Sequence, residues 1–129
     1  MLAEQTTAPP LDQLAAVADR DDLVGAIAAA RAVYVEESVG GYVVTILRHT
    51  RDSPLLALGA SPRAGIALLR MAKARAAVLG RDYVIPEDVQ AVASAVLAHR
   101  VILAPEARAS GMRGEDAVER ALAEAPIPK

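Results

Sequence analysis

Two arginines, Arg63 and Arg70, are the side chains of this chain that are best placed to do chemistry. They lie about two helical turns apart, so both guanidinium groups fall on one side of the same predicted helix. Ala67 and Ala74 occupy neighbouring positions on that face. Guanidinium groups surrounded by small side chains could bind an anion, or a second protein domain that carries one. The alternative is an ordinary solvated helix face, since most arginines are exposed.

The helix that would carry these arginines has clear ends in the sequence. Ser61 can accept a hydrogen bond from a backbone N–H of the first turn, and Pro62 suits the first helical position. Gly80 marks the expected left-handed end of the helix. Arg63 then sits at the positive end of the helix dipole, which costs about 0.3–1 kcal/mol. The predicted inward face consists of small and apolar residues: Gly65, Leu68, Leu69, Ala72, Ala76 and Leu79.

Past Gly80 the sequence predicts a turn, a short extended segment over 83–85 and another helix from Pro86 to about His99. Glu87 and Asp88 fall in the first turn of that helix, where negative charge is favourable. The residues expected to point inward are Val89, Val92, Ala93 and Val96.

Two runs within this segment resemble the C-terminal lid of the MoxR family of AAA+ ATPases. Gly59–Ala64 reads Gly-Ala-Ser-Pro-Arg-Ala, a run that opens a lid helix in that family. Gly80–Val89 is similar to the family's Gly-Arg-Asp-Tyr-Val-x-Pro-Glu-Asp-Val run, although Ile85 stands where the family often has a capping Thr. The resemblance extends over about residues 19–128.

The resemblance implies an all-α fold, a small bundle of about five helices of the AAA+ lid type, with very short two-strand contacts. It implies that Arg63 is the sensor-2 residue, which reaches the phosphates of a nucleotide held by a neighbouring ATPase core. Arg70 would make a secondary contact to the nucleotide or the core. ATP and magnesium would be bound by the parent protein, with no cofactor, metal site or catalytic residue in this chain alone.

The implied partners are the protein's own N-terminal AAA+ core, the neighbouring subunits of a ring and, as often in this family, proteins with a von Willebrand A domain. The implied activity is the chaperone-like maturation or remodelling of protein complexes. The chain itself contains no Gly-x-x-x-x-Gly-Lys-Ser/Thr run, so the usual phosphate loop of an ATPase is not encoded in it.

The composition favours a helical protein with a thin core. The chain is 53% hydrophobic, but it has no Phe or Trp and only three Tyr, and much of the apolar content is Ala. Ala favours helices, whereas sheets prefer β-branched and aromatic residues. The net charge of −2 gives no drive toward nucleic acid or an anionic membrane. With no cysteine, no signal pattern and no membrane-spanning run, the chain is expected to be cytoplasmic.

The remaining segments are predicted to complete the bundle. Residues 1–18 are expected to form a linker or flexible start, and residues 19–128 the lid domain. A first helix would run from Arg20 to about Val33, a second from about Glu36 to Arg51, and a last one over 115–125. Their inward residues are predicted from apolar spacing to be Leu23, Ile27 and Ala30; Val39, Val43, Ile46 and Leu47; and Val118 and Leu122.

Less regular segments lie between these helices. The loop 52–60 contains three leucines, of which Leu58 is expected to tuck under the bundle, while Leu55 and Leu56 either do the same or meet a partner. Residues 101–103 are predicted to be extended and could pair with 83–85. Residues 108–113 are predicted to form a loop.

Other chemistry finds little support in the sequence. His49 and His99 each lie at a predicted helix end without matching metal ligands. Two further hypotheses remain: a histone-like nucleic-acid-binding module, which the acidic balance disfavours, and a helical protein-interaction module in which Arg63 is an ordinary surface residue.

Overall fold

The computed structural model describes residues 14–128, and within that range the chain forms six α-helices and one pair of very short strands. The elements are α1 (Arg20–Ala32), α2 (Glu37–Asp52), β1 (Leu56–Leu58), α3 (Pro62–Val78), α4 (Pro86–Leu97), a 3₁₀ turn (Ala98–Arg100), β2 (Ile102–Leu103), α5 (Pro105–Ala109) and α6 (Gly114–Glu124). This confirms the predicted all-α bundle. The short helix α5 is additional to the five helices that the sequence predicts.

The predicted linker, residues 1–18, lies mostly outside the described residues. Residues 1–13 are not described, while residues 14–18 are exposed and precede α1 without forming a helix. The prediction for residues 1–18 is therefore untested over most of its length.

Helix α3 lies at the centre of the bundle, where it packs against α1, α2 and α4. Its buried face is made of small residues and one leucine: Ala64, Gly65, Leu68, Ala72 and Ala76. Because these side chains are small, the neighbouring helices can approach α3 closely. A Cβ atom on Gly65, for example, would lie 2.6 Å from Leu47 Cδ1 on α2. The predicted inward residues of α2, α4 and α6 are all buried or pack against the same core.

The local signals at the helix ends are confirmed. Ser61 Oγ accepts a hydrogen bond from the Ala64 N–H at 3.3 Å, and Gly80 adopts a left-handed φ of 75° after α3. Asp19 and Asp22 form a reciprocal capping box at the start of α1.

A buried carboxylate joins the end of α3 to the start of α4. Both Nη atoms of Arg81 donate to Asp88 at 2.6 Å, and Arg75 Nε lies 3.4 Å from the same carboxylate. Asp88 also accepts a hydrogen bond from the Ile85 N–H at 3.0 Å, which is one half of a capping box; Ile85 has no side-chain oxygen to form the other half. The hydrogen bond from Arg81, more than any other influence, holds the pKa of Asp88 below its ordinary value of 3.8.

The predicted inward stripe of the first helix is wrong. No residue of α1 is buried, and Leu23 and Ile27 remain 60% and 44% exposed. The apolar spacing correctly predicts an amphipathic helix. However, α3 is the only element against which α1 packs extensively within the described residues, so the apolar face of α1 is left largely uncovered. Leu79 is also exposed, because α3 ends at Val78 and the chain turns away at this point.

The predicted strand pairing and the predicted burial of Leu58 are wrong as well. β2 pairs antiparallel with β1, not with residues 83–85, and Tyr83 instead forms a parallel bridge with Tyr34. Residues two apart share a face in a regular strand, but the register of β1 against β2 shifts between Leu56 and Leu58, and Leu56 is buried while Leu58 is 58% exposed. Part of the predicted loop 108–113 belongs to α5, after which Gly111 turns the chain with a φ of 83°.

Candidate functional site: an arginine surface at the start of α3

Arg63 lies in the first turn of α3 with its side chain exposed to solvent. Over residues 14–128 no carboxylate forms an ion pair with it, and it makes no side-chain hydrogen bond. The position next to Ser61 and Pro62 fixes where the side chain leaves the helix. Arg63 is thus a guanidinium group that is available to an external anion.

Arg63 and Arg70 lie along one groove on the outer side of α3, as their spacing predicts. This α3 groove has a volume of about 350 Å³ and is lined by Arg63, Ile66, Ala67, Arg70, Met71 and Ala74. Ala67 lies between the two arginines and Ala74 one turn beyond Arg70, and Ile66 and Met71 add exposed apolar area. The groove combines two positive groups with an apolar surface, which suits a ligand that has both kinds of chemistry.

Arg70 also faces a second groove, between α1 and α3, with a volume of about 480 Å³. Ile27 and Arg31 of α1 line its other side. Lys73 donates from Nζ to the Arg31 carbonyl oxygen at 2.5 Å and so ties the two helices together beside Arg70. Arg70 therefore stands at the junction of both grooves, whereas Arg63 does not reach the α1 side.

A third groove, which sequence reasoning missed, lies on the opposite side of Arg63. This arginine groove has a volume of about 520 Å³ and is lined by residues 58–64 together with Arg51 and Arg100. Arg51 comes from the last turn of α2 and Arg100 from the 3₁₀ turn after α4. A cation in the last turn of α2 is favoured by the helix dipole, so nothing in the local pattern around Arg51 suggests a shared site.

The histidines do not form a site. His49 is half-buried, and its Nδ1 lies 2.9 Å from the Thr45 carbonyl oxygen within α2, while His99 is exposed on the 3₁₀ turn. Across the part of the chain that the structure describes, no three His, Cys, Asp or Glu side chains come together in a way that could hold a metal ion. None of the helices in this part has the length and apolar character needed to cross a membrane.

Known proteins are similar to this chain in sequence and in fold. Residues 48–121 match the AAA lid domain family. The chain is 35% identical to the uncharacterized protein YeaC of Bacillus subtilis over 99% of its own length and 40% of that protein. It is 36% identical to the chaperone MoxR1 of Mycobacterium tuberculosis over 74% of its own length and 28% of that protein. A crystal structure of a candidate ATPase from Cytophaga hutchinsonii superimposes with a TM-score of 0.79 at 35% identity, covering 84% of this chain and 36% of that one.

The chain belongs to the AAA lid domain family. Its relatives, together with the structural match, place it more narrowly with the lid domains of MoxR-family AAA+ proteins, which confirms the resemblance seen in the two sequence runs. The chain spans less than half the length of each of these relatives. The family match covers Arg51, Arg63, Arg70 and Arg100 but begins after α1, so the predicted domain span of 19–128 stays a prediction.

Proposed function

We propose that this domain is the lid of a MoxR-type AAA+ ATPase and that it closes over ATP bound by an AAA+ core, with Arg63 contacting the phosphates. Arg70, farther along the α3 groove, would make a secondary contact to the nucleotide or to the core. The core would supply the phosphate loop and the acidic residues that hold magnesium. The neighbouring subunits of a ring would then be further partners of this domain.

The observation that carries the proposal is the environment of Arg63. Its guanidinium is exposed beside two grooves and has no carboxylate partner within residues 14–128. A cation in the first turn of a helix is unfavourable by about 0.3–1 kcal/mol, so Arg63 does not serve the stability of α3. A phosphate brought by a second domain would provide the compensating charge, and the exposed N-terminus of α3 would favour the same anion.

The rigidity of the bundle suits this role. The core side chains of α2, α3 and α4 form one cluster, and the Asp88 carboxylate links the far end of α3 to α4. A lid that moves as one body would bring Arg63 to the nucleotide, or remove it, without changing its internal packing. A guanidinium placed in this way stabilises negative charge that develops on the phosphates during hydrolysis.

The cellular role is proposed only by analogy with the relatives. The name of MoxR1 states that it is a chaperone. By analogy the parent ATPase of this lid would mature or remodel protein complexes in the cytoplasm, with proteins bearing a von Willebrand A domain among its partners.

The test is to replace Arg63 in the ATPase that carries this lid. We expect Arg63→Ala to lower kcat for ATP by about 10²-fold, the scale of losing one well-placed charge-stabilising donor. Arg63→Lys keeps the charge but loses the planar fork, so it should recover only part of the rate. Arg48→Ala removes an exposed arginine from α2, away from all three grooves, and serves as the matched control.

Unchanged turnover in Arg63→Ala would refute the phosphate contact. Reading the coding sequence upstream of Met1 is an independent check, because a phosphate loop in the same reading frame would identify the core directly. A gel shift at low salt tests the histone-like alternative, which predicts tight binding to nucleic acid that the lid hypothesis does not.

A further inference from the structure

The arginine groove concentrates positive charge on a chain that is acidic overall. Arg51, Arg63 and Arg100 line one depression of about 520 Å³, and no Asp or Glu lines it with them. The net charge of the whole chain is −2, so three guanidinium groups without an acid are a local departure from the average surface. Like charges on one surface repel one another, weakly where water screens them, and an anion bound between them would turn that repulsion into attraction.

None of the three arginines is neutralised within the described part of the chain. Its carboxylate ion pairs there involve Arg75, Arg81 and Arg113. Arg100 donates from Nη1 to the Val96 carbonyl oxygen, which fixes the side chain at the end of α4 but leaves its charge in place. The arginines of this domain thus fall into a paired set and an unpaired set, and Arg51, Arg63 and Arg100 share a groove although they come from three separate segments.

The floor of the groove is held rigidly. A Cβ atom on Gly59 would lie 2.6 Å from both the backbone N and the Cα of Arg51, so the loop runs directly against the end of α2. The Ala60 N–H donates to the buried Thr50 Oγ1 at 3.0 Å and anchors the loop a second time. The backbone that carries Arg51 is therefore packed against the loop that leads into Arg63, and a fixed backbone reduces the entropy lost when a ligand binds.

The geometry points to Arg51 and Arg100 as phosphate-binding residues that act beside Arg63, with the arginine groove taking the phosphate chain of a nucleotide. The inference rests on the proposed lid function and extends it to residues that no family resemblance assigns here. Guanidinium groups form paired hydrogen bonds with phosphate oxygens, and three of them match a chain that carries several negative charges. Leu58, exposed on the rim, and Pro62 supply an apolar wall for the sugar or base.

The first experiment uses the 129-residue chain and two probes, inorganic triphosphate and ATP. Affinity should be on the order of millimolar because the core is absent, so binding is followed through backbone amide chemical shifts. Both probes should shift the amides of residues 58–64 and of Arg51 and Arg100 in a saturable way. Added salt should weaken the binding, as it does for exposed charges.

Matched variants separate specific binding from general charge. Arg51→Gln and Arg100→Gln should each weaken triphosphate binding by roughly fivefold, the upper range for an exposed ion pair. Arg48→Gln lies on the same helix as Arg51 and changes the net charge equally, so it should leave the affinity within about twofold of the wild type. Arg51→Lys and Arg100→Lys should recover part of the loss. Circular dichroism checks that each variant keeps its helices.

Three outcomes would overturn the inference: affinity in Arg51→Gln and Arg100→Gln equal to that of Arg48→Gln, shifts confined to another surface, or binding of triphosphate without binding of ATP. The same variants in the parent ATPase distinguish this failure from that of the proposed function. A raised KM for ATP in Arg51→Gln and Arg100→Gln supports the inference. If Arg63→Ala lost turnover while the KM for ATP stayed unchanged in Arg51→Gln and Arg100→Gln, the phosphate-binding role of Arg51 and Arg100 would be refuted. The proposed lid function would still hold.

Discussion

Arginines lie at both ends of α3, but they are paired with a carboxylate at one end and unpaired at the other. At the C-terminal end, Arg75 and Arg81 converge on Asp88, which is 1% exposed and is satisfied on both oxygens. At the N-terminal end, Arg63 meets Arg51 and Arg100 around an open groove without any carboxylate. At the C-terminal end a carboxylate of the same domain neutralises the arginine charge, whereas at the N-terminal end no carboxylate lines the groove with the arginines.

This difference separates a structural use of arginine from a binding use. The paired arginines join the end of α3 to the start of α4 and hold the turn at residues 79–85 in place. The unpaired arginines have no carboxylate partner within the described domain: Arg51 and Arg100 contribute only at helix C-termini, and Arg63 opposes the dipole of α3. Removing a charged group at the C-terminal end should therefore change the free energy of unfolding, and removing one at the N-terminal end should change ligand affinity or turnover.

The largest expected effect is that of Asp88→Ala. The substitution removes both oxygens that Arg81 contacts and the cap of the Ile85 N–H. We expect the free energy of unfolding to fall by about 3 kcal/mol, the low end for a broken buried ion pair, because the Arg81 side chain is 22% exposed and can turn to water. Urea denaturation of the 129-residue chain measures the loss.

Asp88→Asn is the control for this variant. Asn keeps the shape and can still accept the Ile85 N–H, but it lacks the charge, so its loss should be smaller than that of Asp88→Ala. A change within about 1 kcal/mol for Asp88→Ala would show that the buried cluster is not a main support of the fold.

Gly59→Ala, in the loop before the N-terminal end of α3, is expected to have the next largest effect on stability. The added Cβ would meet the backbone of Arg51 at 2.6 Å, and backbone cannot move as easily as a side-chain tip. We expect a loss of about 2 kcal/mol in the free energy of unfolding, typical of overpacking, together with weaker triphosphate binding as the groove floor shifts.

Gly40→Ala provides the contrast for Gly59→Ala, since a Cβ on Gly40 meets nothing within 4 Å. That substitution should stabilise α2 by up to about 1 kcal/mol because Ala is the better helix former. Equal stability changes in the two variants would mean that the contact between Gly59 and Arg51 is not a close one.

A smaller effect is expected from pH. Arg81 lowers the pKa of Asp88 below 3.8 in the folded state, while an Asp in the unfolded chain titrates near its ordinary value. The stability from Asp88 is therefore fully present above the unfolded pKa and is lost as pH falls through the lowered folded pKa. Urea midpoints from neutral pH down to about pH 3 should fall more steeply in the wild type than in Asp88→Asn. Parallel curves would contradict the ion pair.

Much of this architecture is predictable from the sequence because its signals are local. Ser61, Gly80 and Pro86 set helix ends through backbone groups only a few residues away, and each of these ends lies where it is predicted. The shared face of Arg63 and Arg70 is equally local, since helical geometry alone fixes it. The proposed function as the lid of an ATPase comes from resemblance and not from such geometry.

What could not be predicted depends on contacts between distant segments. Apolar spacing shows that α1 is amphipathic but cannot show whether a partner covers it, and within the described residues its face stays open. The partner of β2 is chosen by packing, so pairing with β1 could not be told from pairing with residues 83–85. Arg51 and Arg100 join Arg63 only through the tertiary fold, and for this reason the arginine groove was missed.

The smallest expected effect is the sharpest test of the comparison. Arg63→Ala should change the free energy of unfolding by less than about 0.5 kcal/mol, as is usual at exposed sites. Its sign should be stabilising, because the substitution removes a cation from the positive end of the α3 dipole and introduces the best helix former. Arg81→Ala is the counterpart, since it leaves the buried Asp88 with only the longer Arg75 contact and should destabilise clearly. If Arg63→Ala were as destabilising as Arg81→Ala in urea denaturation, Arg63 would have a structural partner, and the two ends of α3 would no longer differ in kind.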